Sequence, residues 1–413
     1  MRSEIITIGD ELLIGQVINT NQAFIAEQLN AAGIPVEKMT SVGDDAERIL
    51  EALTEAWNAR EVVIITGGLG PTHDDVTKKA LCTFFGTELV ADDRVRERIQ
   101  VLLRARALRW SEAAEQQTQV PRGMRVFVNP VGTAPALVAE REGRVLAVLP
   151  GVPYEMRELM TGSIVPFLVA RTGEPAIVHR TLRTTGIPES LLARELGEVG
   201  PLLEGARLAF LPSPRGVRLR ITVHEPTRAR SLEKAARIER RIRDRVGDHI
   251  YGVENEELEE IVGSLLRQRS LTIAVAESCT GGMVADKLTN VSGSSHYFER
   301  GVVAYSNRAK TELLGVPPHQ IQHHGAVSRE VAESMAEGIR RVAGTDIGLS
   351  TTGIAGPSGG TPEKPVGLVW IAFADGRGTA SLSHRLGDDR LRFKDRASHA
   401  ALELVRRRLI APG

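Results

Sequence analysis

The sequence predicts two α/β domains flanking a small α+β module. Short β-branched runs that end in glycine-rich turns and lead into helices recur in both halves of the chain. The stretch between them reads instead as short alternating strands and one long charged helix. A length of 413 residues, at roughly 150 per domain, predicts two or three domains. Composition agrees, with 42% apolar and 25% charged residues, ordinary for soluble globular domains. Lys and Arg total 52 against 52 Asp and Glu, which argues against a general nucleic-acid binder. The 40 glycines sit in short clusters without a period, which excludes collagen and low-complexity disorder. Cys82 and Cys279 lie far apart with no metal spacing around either, so neither a disulfide framework nor a structural zinc site is expected. No apolar run approaches the roughly 18 residues of a membrane span, and Glu4, Asp10 and Glu11 do not suit a targeting segment. A soluble, cytoplasmic protein with no membrane or direct nucleic-acid partner is expected.

In chain order, Ile5–Ile8 is a short apolar strand ending at Gly9, before Asp10 and Glu11. Residues 21–32 form a helix with Phe24, Ile25 and Leu29 on one face, stopped by Gly33. Val62–Ile65 reads as a buried parallel strand feeding Thr66-Gly67-Gly68, followed by a helix over Val76–Phe85. Val145–Leu149 is a further strand, ending at Pro150-Gly151. Ligands of such a sheet gather at the carboxyl ends of its strands. A Thr-Gly-Glu-Pro turn over residues 172–175 breaks the pattern. Strands over Ile177–Leu182, Leu208–Phe210 and Val217–Val223, a helix over Glu189–Leu196, and a charged helix from Thr227 to Val246 make up the middle module. It carries no catalytic grouping and reads as a spacer or dimerisation element. An amphipathic helix over Glu256–Arg267 buries Leu258, Ile261, Val262, Leu265 and Leu266. The strand Leu271–Ala276 then runs into Glu277-Ser278-Cys279-Thr280-Gly281-Gly282, and a second glycine-rich stretch precedes the strand Val366–Phe373.

Two constellations carry chemistry. In the first, the amides of Gly67, Gly68 and Gly70 can cradle phosphate, with Thr72 adding a hydroxyl. One of Asp74 and Asp75 can cap the following helix. Both beside a phosphate cradle are repulsive unless a divalent cation sits between. Asp10, at another strand end, and Glu155 in Pro150-Gly151-Val152-Pro153-Tyr154-Glu155 are further ligand candidates. The pattern is neither a Walker A loop nor the dinucleotide fingerprint.

In the second, Ser278 needs a base to become a nucleophile. Lys310, held neutral by its surroundings, can supply it if the Tyr305–Lys310 segment folds back, with Tyr305 relaying the proton or orienting the group. The amides around Thr280, Gly281 and Gly282 can form an oxyanion hole. Cys279 competes as nucleophile, and His296, His323 and His324 can approach in the fold. Gly353 to Thr361, including Gly356, reads as a second anion-binding loop, with Arg390 as a further charge.

The chain resembles the CinA-like family, formerly called competence/damage-inducible proteins. The matching motifs are GGLGPTHDDVT at 67–77, LPGVPYEM at 149–156, AESCTGG at 276–282, YSNRAK at 305–310, GAVSREVAESMA at 325–336 and TGIAGPSGGTPEKPVG at 352–367. The resemblance implies three domains: a molybdopterin-binding-like three-layer domain over 1–172, a small KH-like α+β module over 173–252, and an α/β amidohydrolase domain over 253–413. It implies deamidation of nicotinamide mononucleotide in the last domain, with Ser278 as nucleophile beside Tyr305 and Lys310 and no cofactor. It implies hydrolysis of the ADP-ribose pyrophosphate in the first, with a divalent metal near Asp10, Asp74, Asp75 and Glu155 and with Asp74 in the catalytic role. A homodimer recycling pyridine nucleotides is the expected whole. The alternatives are a deamidase whose first domain only senses nucleotides, a non-enzymatic adaptor in DNA uptake or repair, and a role in molybdopterin handling. Gly197-Glu198-Val199-Gly200 has the GXXG spacing of KH nucleic-acid readers, but its interior is acidic and apolar and Pro201 follows, so a helix-ending turn is expected. One departure concerns phosphate affinity: Lys394 stands where the family pattern has a second arginine, and lysine does not reproduce a bidentate clamp.

Overall fold

The computed structural model describes residues 1–70, 76–172 and 177–411. The chain divides into two compact units, Met1–Val178 with Val223–Glu233, and His179–Thr222 with Lys234–Gly413.

Among the described residues, eight strands lie wholly in the first unit: β1 (Ser3–Ile8), β2 (Val36–Val42), β3 (Val62–Thr66), β4 (Leu89–Ala91), β5 (Gln119–Pro121), β6 (Arg125–Phe127), β7 (Ala136–Arg141) and β8 (Arg144–Leu149). Six of them form one sheet in the order β2-β1-β3-β8-β7-β6, while β4 and β5 pair in a separate ribbon. The first four strands of that order are parallel, and β7 and β6 close it antiparallel. Alternation along the strands sends Ile6, Val63, Ile65, Leu146 and Val148 into one core and Ile5, Val62, Ile64, Val145 and Ala147 into the other. Helix Ala46–Ala59 covers the first face with Ile49, Leu53 and Ala56, and helix Thr20–Ala31 covers the second with Ile25 and Leu29. The result is three layers. Asn19 caps the second of these helices, its side chain accepting from the Gln22 amide at 3.1 Å.

The middle module contributes β9 (Ile177–Thr184), β10 (Arg207–Ser213), β11 (Gly216–His224) and β12 (Ile250–Val253), ordered β10-β11-β9-β12. Helix Glu189–Leu196 falls where its periodicity placed it, and the charged helix runs over Arg228–Val246. Of the turn expected over residues 172–175, positions 173–175 lie outside the described residues.

The last segment has β13 (Ile273–Glu277), β14 (Phe298–Val303), β15 (Ile347–Gly353), β16 (Leu368–Asp375) and β17 (Gly378–Arg385), ordered β14-β13-β15-β16-β17. β13 is parallel to both neighbours, and β15, β16 and β17 follow antiparallel to one another. β16 starts later than Val366 because Gly367, at φ 92°, turns against Gly387, where a Cβ would meet a carbonyl oxygen at 2.6 Å. Helix Leu258–Gln268 opens on a capping box between Glu257 and Glu260 and buries Leu258, Val262 and Leu266. It packs on helix Arg390–Ile410 in one apolar core with Phe393, Ala397, Ala401 and Val405. No helix among the described residues is long and apolar enough to cross a membrane.

Candidate active sites

β13 is buried along its length and flanked by two parallel strands, so the chain leaving its carboxyl end must turn sharply. Ser278 is the first residue of that turn, its amide donating to the Thr351 carbonyl at 3.0 Å. Gly281 and Gly282 complete the turn at φ 61° and 96°, and helix Met283–Thr289 follows. The first-turn amides of this helix are met by the fully buried Glu277 carboxylate. Oε2 accepts from Gly282 at 2.9 Å and Val284 at 3.1 Å, and Oε1 accepts from Ala285 at 2.8 Å.

Lys310 lies in helix Asn307–Leu314, which Ser306 caps through the Ala309 amide. Its side chain is 1% exposed. Nζ lies 2.8 Å from the Ala304 carbonyl, 3.3 Å from the Tyr305 carbonyl and 3.0 Å from Ser278 Oγ. Burial holds the ammonium below the usual lysine range. A neutral amine has two N–H donors and one lone pair. The two carbonyls can only accept, so when the amine is neutral its lone pair is left for the Ser278 hydroxyl.

Around this pair is a cavity of about 250 Å³ lined by Ser278, Tyr305, Lys310, Gly353, Gly356 and Arg390 among others. Arg390 donates to the Gly356 carbonyl at 3.0 Å and to the Tyr305 hydroxyl at 2.9 Å. The expected relay through Tyr305 is therefore not what the geometry offers. Its hydroxyl is engaged by Arg390, and it is the Tyr305 main-chain carbonyl that meets Lys310. Cys279 also lines the cavity, but burial pushes its thiol up to about 12, which keeps it protonated.

The remaining expected residues are placed elsewhere. The Thr280 hydroxyl is buried against Thr351 Oγ1 at 2.7 Å, and the Gly282 amide is spent on Glu277 rather than free for an oxyanion. Gly281 faces Lys394, whose Nζ would be 3.3 Å from a Cβ there. Thr361 is occupied by its own turn with Lys364. None of His296, His323 and His324 lines the cavity.

In the first unit the ends of β1, β3 and β8 converge. A Cβ on Gly67, at φ 114°, would lie 2.2 Å from the Ile8 carbonyl oxygen, and one on Gly68 would lie 2.1 Å from Thr77 Oγ1. Gly70 ends the described part of this loop; Thr72, Asp74 and Asp75 lie outside the described residues. Thr66 Oγ1 donates to the Pro150 carbonyl and Asn21 Nδ2 to the Gly151 carbonyl, both at 2.7 Å, which ties the β3 and β8 ends together. Asp10 and Asp44 form a reciprocal pair, each carboxylate accepting the other's amide, at 3.0 and 3.2 Å. Glu155 is buried and accepts from Asn129 Nδ2 at 2.7 Å and the Tyr154 hydroxyl at 3.3 Å, and a Cβ on Gly132 would collide with its carboxylate. Burial holds its carboxyl above the usual range. Its described role is to fix the 129–134 loop. Among the described residues no group of three or more His, Cys, Asp or Glu could hold a metal ion; of the expected metal positions Asp10 and Glu155 lie among them, and Asp74 and Asp75 do not.

Family comparisons divide the chain into three. Residues 4–170 match the "Probable molybdopterin binding domain", 179–252 the "Damage-inducible protein CinA KH domain", and 255–409 the "CinA C-terminal domain". The CinA-like protein of Salinibacter ruber is 44% identical over 414 residues, covering 99% of this chain and 100% of that one. The chain belongs to the CinA-like family. The CinA-like protein of Chloroherpeton thalassium is also 44% identical, over 420 residues and the whole of both chains. Among solved structures, the competence/damage inducible protein CihA from Agrobacterium tumefaciens is 37% identical over 36% of this chain and 94% of that one, with a TM-score of 0.35.

In this CinA-like chain, Gly197 ends one helix and Gly200 opens the short helix Gly200–Leu203. Arg245 donates to the Leu196 and Glu198 carbonyls of the turn between them, so the GXXG spacing is used to join two helices. Sequence reasoning missed Glu277, although it stands beside Ser278, because its partners are main-chain amides that leave no side-chain signature.

Proposed function

We propose that the C-terminal domain hydrolyses the carboxamide of nicotinamide mononucleotide, giving nicotinate mononucleotide and ammonia. The observation that carries this reading is the Lys310 amine, desolvated and 3.0 Å from Ser278 Oγ, with its other contacts filled by carbonyls. Lys310 takes the Ser278 proton as Oγ bonds to the carboxamide carbon. It then returns that proton to the departing nitrogen as the C–N bond breaks, releasing ammonia and leaving an acyl-serine. Water attacks this ester with Lys310 again as base, and the C–Oγ bond breaks to restore the serine. Arg390 and the loop around Gly353 and Gly356 supply the polar end of the cavity for the ribose phosphate.

The resemblance of the 67–77 loop supports a second activity, hydrolysis of ADP-ribose at its pyrophosphate with an added divalent cation. Glu155 is committed to the 129–134 loop, and this favours a narrower alternative in which the first domain senses nucleotides without cleaving them. Phosphomonoester formation from ADP-ribose, with and without a chelator, separates the two. Neutral net charge weighs against a DNA-binding adaptor. The deciding experiment measures ammonia release from nicotinamide mononucleotide by the intact chain and by Ser278→Ala. Turnover that collapses in the variant supports the scheme, turnover that survives moves the nucleophile elsewhere, and no turnover in the folded intact chain removes the deamidase reading.

A further inference from the structure

A second cavity, of about 480 Å³, lies in the same compact unit, between the middle module and helix Arg390–Ile410. Its floor is buried: Thr185, Ile187 and Val217 come from the middle module, and His399, Glu403 and Leu404 from the helix. His399 Nε2 lies 3.0 Å from Thr185 Oγ1, and burial drives the imidazole down to about 3, so it is a neutral member of the floor. Gly186, at φ 70°, brings the backbone close, since a Cβ there would lie 2.9 Å from Arg407 Nη2.

Charge on the walls is not balanced. Arg215 is neutralised by Asp395 at 2.9 Å. Glu403 accepts from Arg406 at 2.7 and 2.9 Å and from Arg407 at 2.6 Å, two cations against one carboxylate. Among the described residues, Arg385 and Arg396 have no carboxylate partner at all; Arg396 Nη1 donates only to the Leu386 carbonyl, at 2.9 Å. The remaining acid on the wall is Glu189. The excess is felt locally: His384, which also lines the cavity, is held below its usual range by burial and then by Arg396 and Arg407. The wall also carries apolar surface, from Ile187, Pro188, Leu382 and Leu386. A cavity within the size range of small-molecule sites, lined by both apolar side chains and guanidinium groups, fits a ligand with an apolar body and a multiply charged anionic end. Guanidinium forks match phosphate oxygens in pairs.

We propose that this cavity is a second ligand site, taking an organic phosphate of mononucleotide size with its phosphate on Arg385, Arg396 and Arg407. The site is independent of the chemistry assigned to Ser278, but the two are connected. Leu386, held by Arg396, donates its amide to the Gly367 carbonyl at 2.9 Å, and the Gly367 amide donates to the Ile354 carbonyl at 2.8 Å. Ile354 lines the Ser278 cavity. A phosphate that draws Arg396 off Leu386 therefore acts on the loop carrying Gly353 and Gly356, and its effect on turnover falls on KM.

The test titrates the full chain with adenosine monophosphate at low salt by calorimetry, with adenosine and inorganic phosphate as separate probes. The expected result is a binding event that the Arg385→Ala/Arg396→Ala double variant weakens at least tenfold, that Ser278→Ala and Arg390→Ala retain, and that adenosine does not reproduce. Both arginines are exposed, so the double variant keeps the intact chain's melting temperature, and Arg385→Lys/Arg396→Lys restores part of the affinity. Equal affinity in the intact chain and the double alanine variant overturns the proposal. So does loss of the event in Arg390→Ala, which would place it in the Ser278 cavity, and so does the absence of binding at millimolar probe.

Discussion

Replacing Glu277 by Gln removes one charge and changes one atom from acceptor to donor while keeping the side chain's shape. In the native arrangement two carboxylate oxygens accept three amides, from Gly282, Val284 and Ala285. A glutamine oxygen can keep the Gly282 and Val284 bonds, but its NH₂ then faces the Ala285 N–H. That loses one charge-assisted bond and weakens two others, each originally worth about 1.5–3 kcal/mol. The net destabilisation is about 2–3 kcal/mol, which at roughly 2–4 °C per kcal/mol lowers the melting temperature by about 4–12 °C. Geometry is lost as well. The main-chain bonds that seat the base, Ala304 amide to Glu277 carbonyl at 2.8 Å and Lys310 Nζ to the Ala304 carbonyl, survive the substitution, so a shifted turn moves Ser278 Oγ relative to a base that stays in place. Ammonia release from nicotinamide mononucleotide should fall about 10–100-fold in kcat with KM little changed. Labelling of Ser278 by a fluorophosphonate, which needs no particular substrate, should slow in parallel. A variant that melts and labels like the parent chain would refute the reasoning, since three buried bonds cannot be altered without cost.

Four further outcomes follow from the same geometry. The base must be neutral and burial lowers the Lys310 pKa, so kcat/KM should rise with pH and level off below the roughly 10.4 of free lysine; Lys310→Met should cost about 10²–10⁴-fold, and a profile that keeps rising past pH 10 would count against a desolvated base. Cys279→Ala should keep turnover within a few-fold of the parent, and iodoacetamide should react slowly at pH 8, because the thiol titrates near 12. Tyr305→Phe removes the oxygen that accepts from Arg390, and steady-state kinetics should show a few-fold rise in KM with kcat nearly intact; a collapse of kcat would restore the relay. Gly67→Ala forces a Cβ to within 2.2 Å of the Ile8 carbonyl at φ 114°, which should destabilise the first unit by about 2–4 kcal/mol, read by chemical denaturation.

Strand-and-turn patterning reached the positions that matter most. The run ending at Ala276 placed Ser278 at a strand end, and Lys310 is where a fold-back would bring it. What was illegible has identifiable causes. β15, Ile-Gly-Leu-Ser-Thr-Thr-Gly, hides as a strand because its hydroxyl residues dilute the apolar signal; buried, Ser350 and Thr352 satisfy themselves on the Ala332 and Ala326 carbonyls. Helix Arg390–Ile410 is rich in arginine and passes for a solvated surface, yet Phe393, Ala397, Ala401 and Val405 lie on a face at helical spacing and are fully buried. The sequence leaves Tyr305 as either a proton relay or an orienting group, because side-chain direction at a strand end is set by packing, and here the hydroxyl leads to Arg390.

The packing of helix Leu258–Gln268 on helix Arg390–Ile410 has a consequence for biosynthesis. The stripe of Leu258, Val262 and Leu266 leaves the ribosome well before its partner exists, and β13 must likewise wait for β15 to be flanked on both sides. A nascent domain halted before Arg390 carries an uncovered apolar helix and an incomplete sheet, the kind of species that chaperones hold and proteases clear. Ser278 and Lys310 are synthesised early, but the apolar core behind their turn, where Cys279 and Val284 meet Phe393 and Ala397, is complete only when the last helix packs on helix Leu258–Gln268.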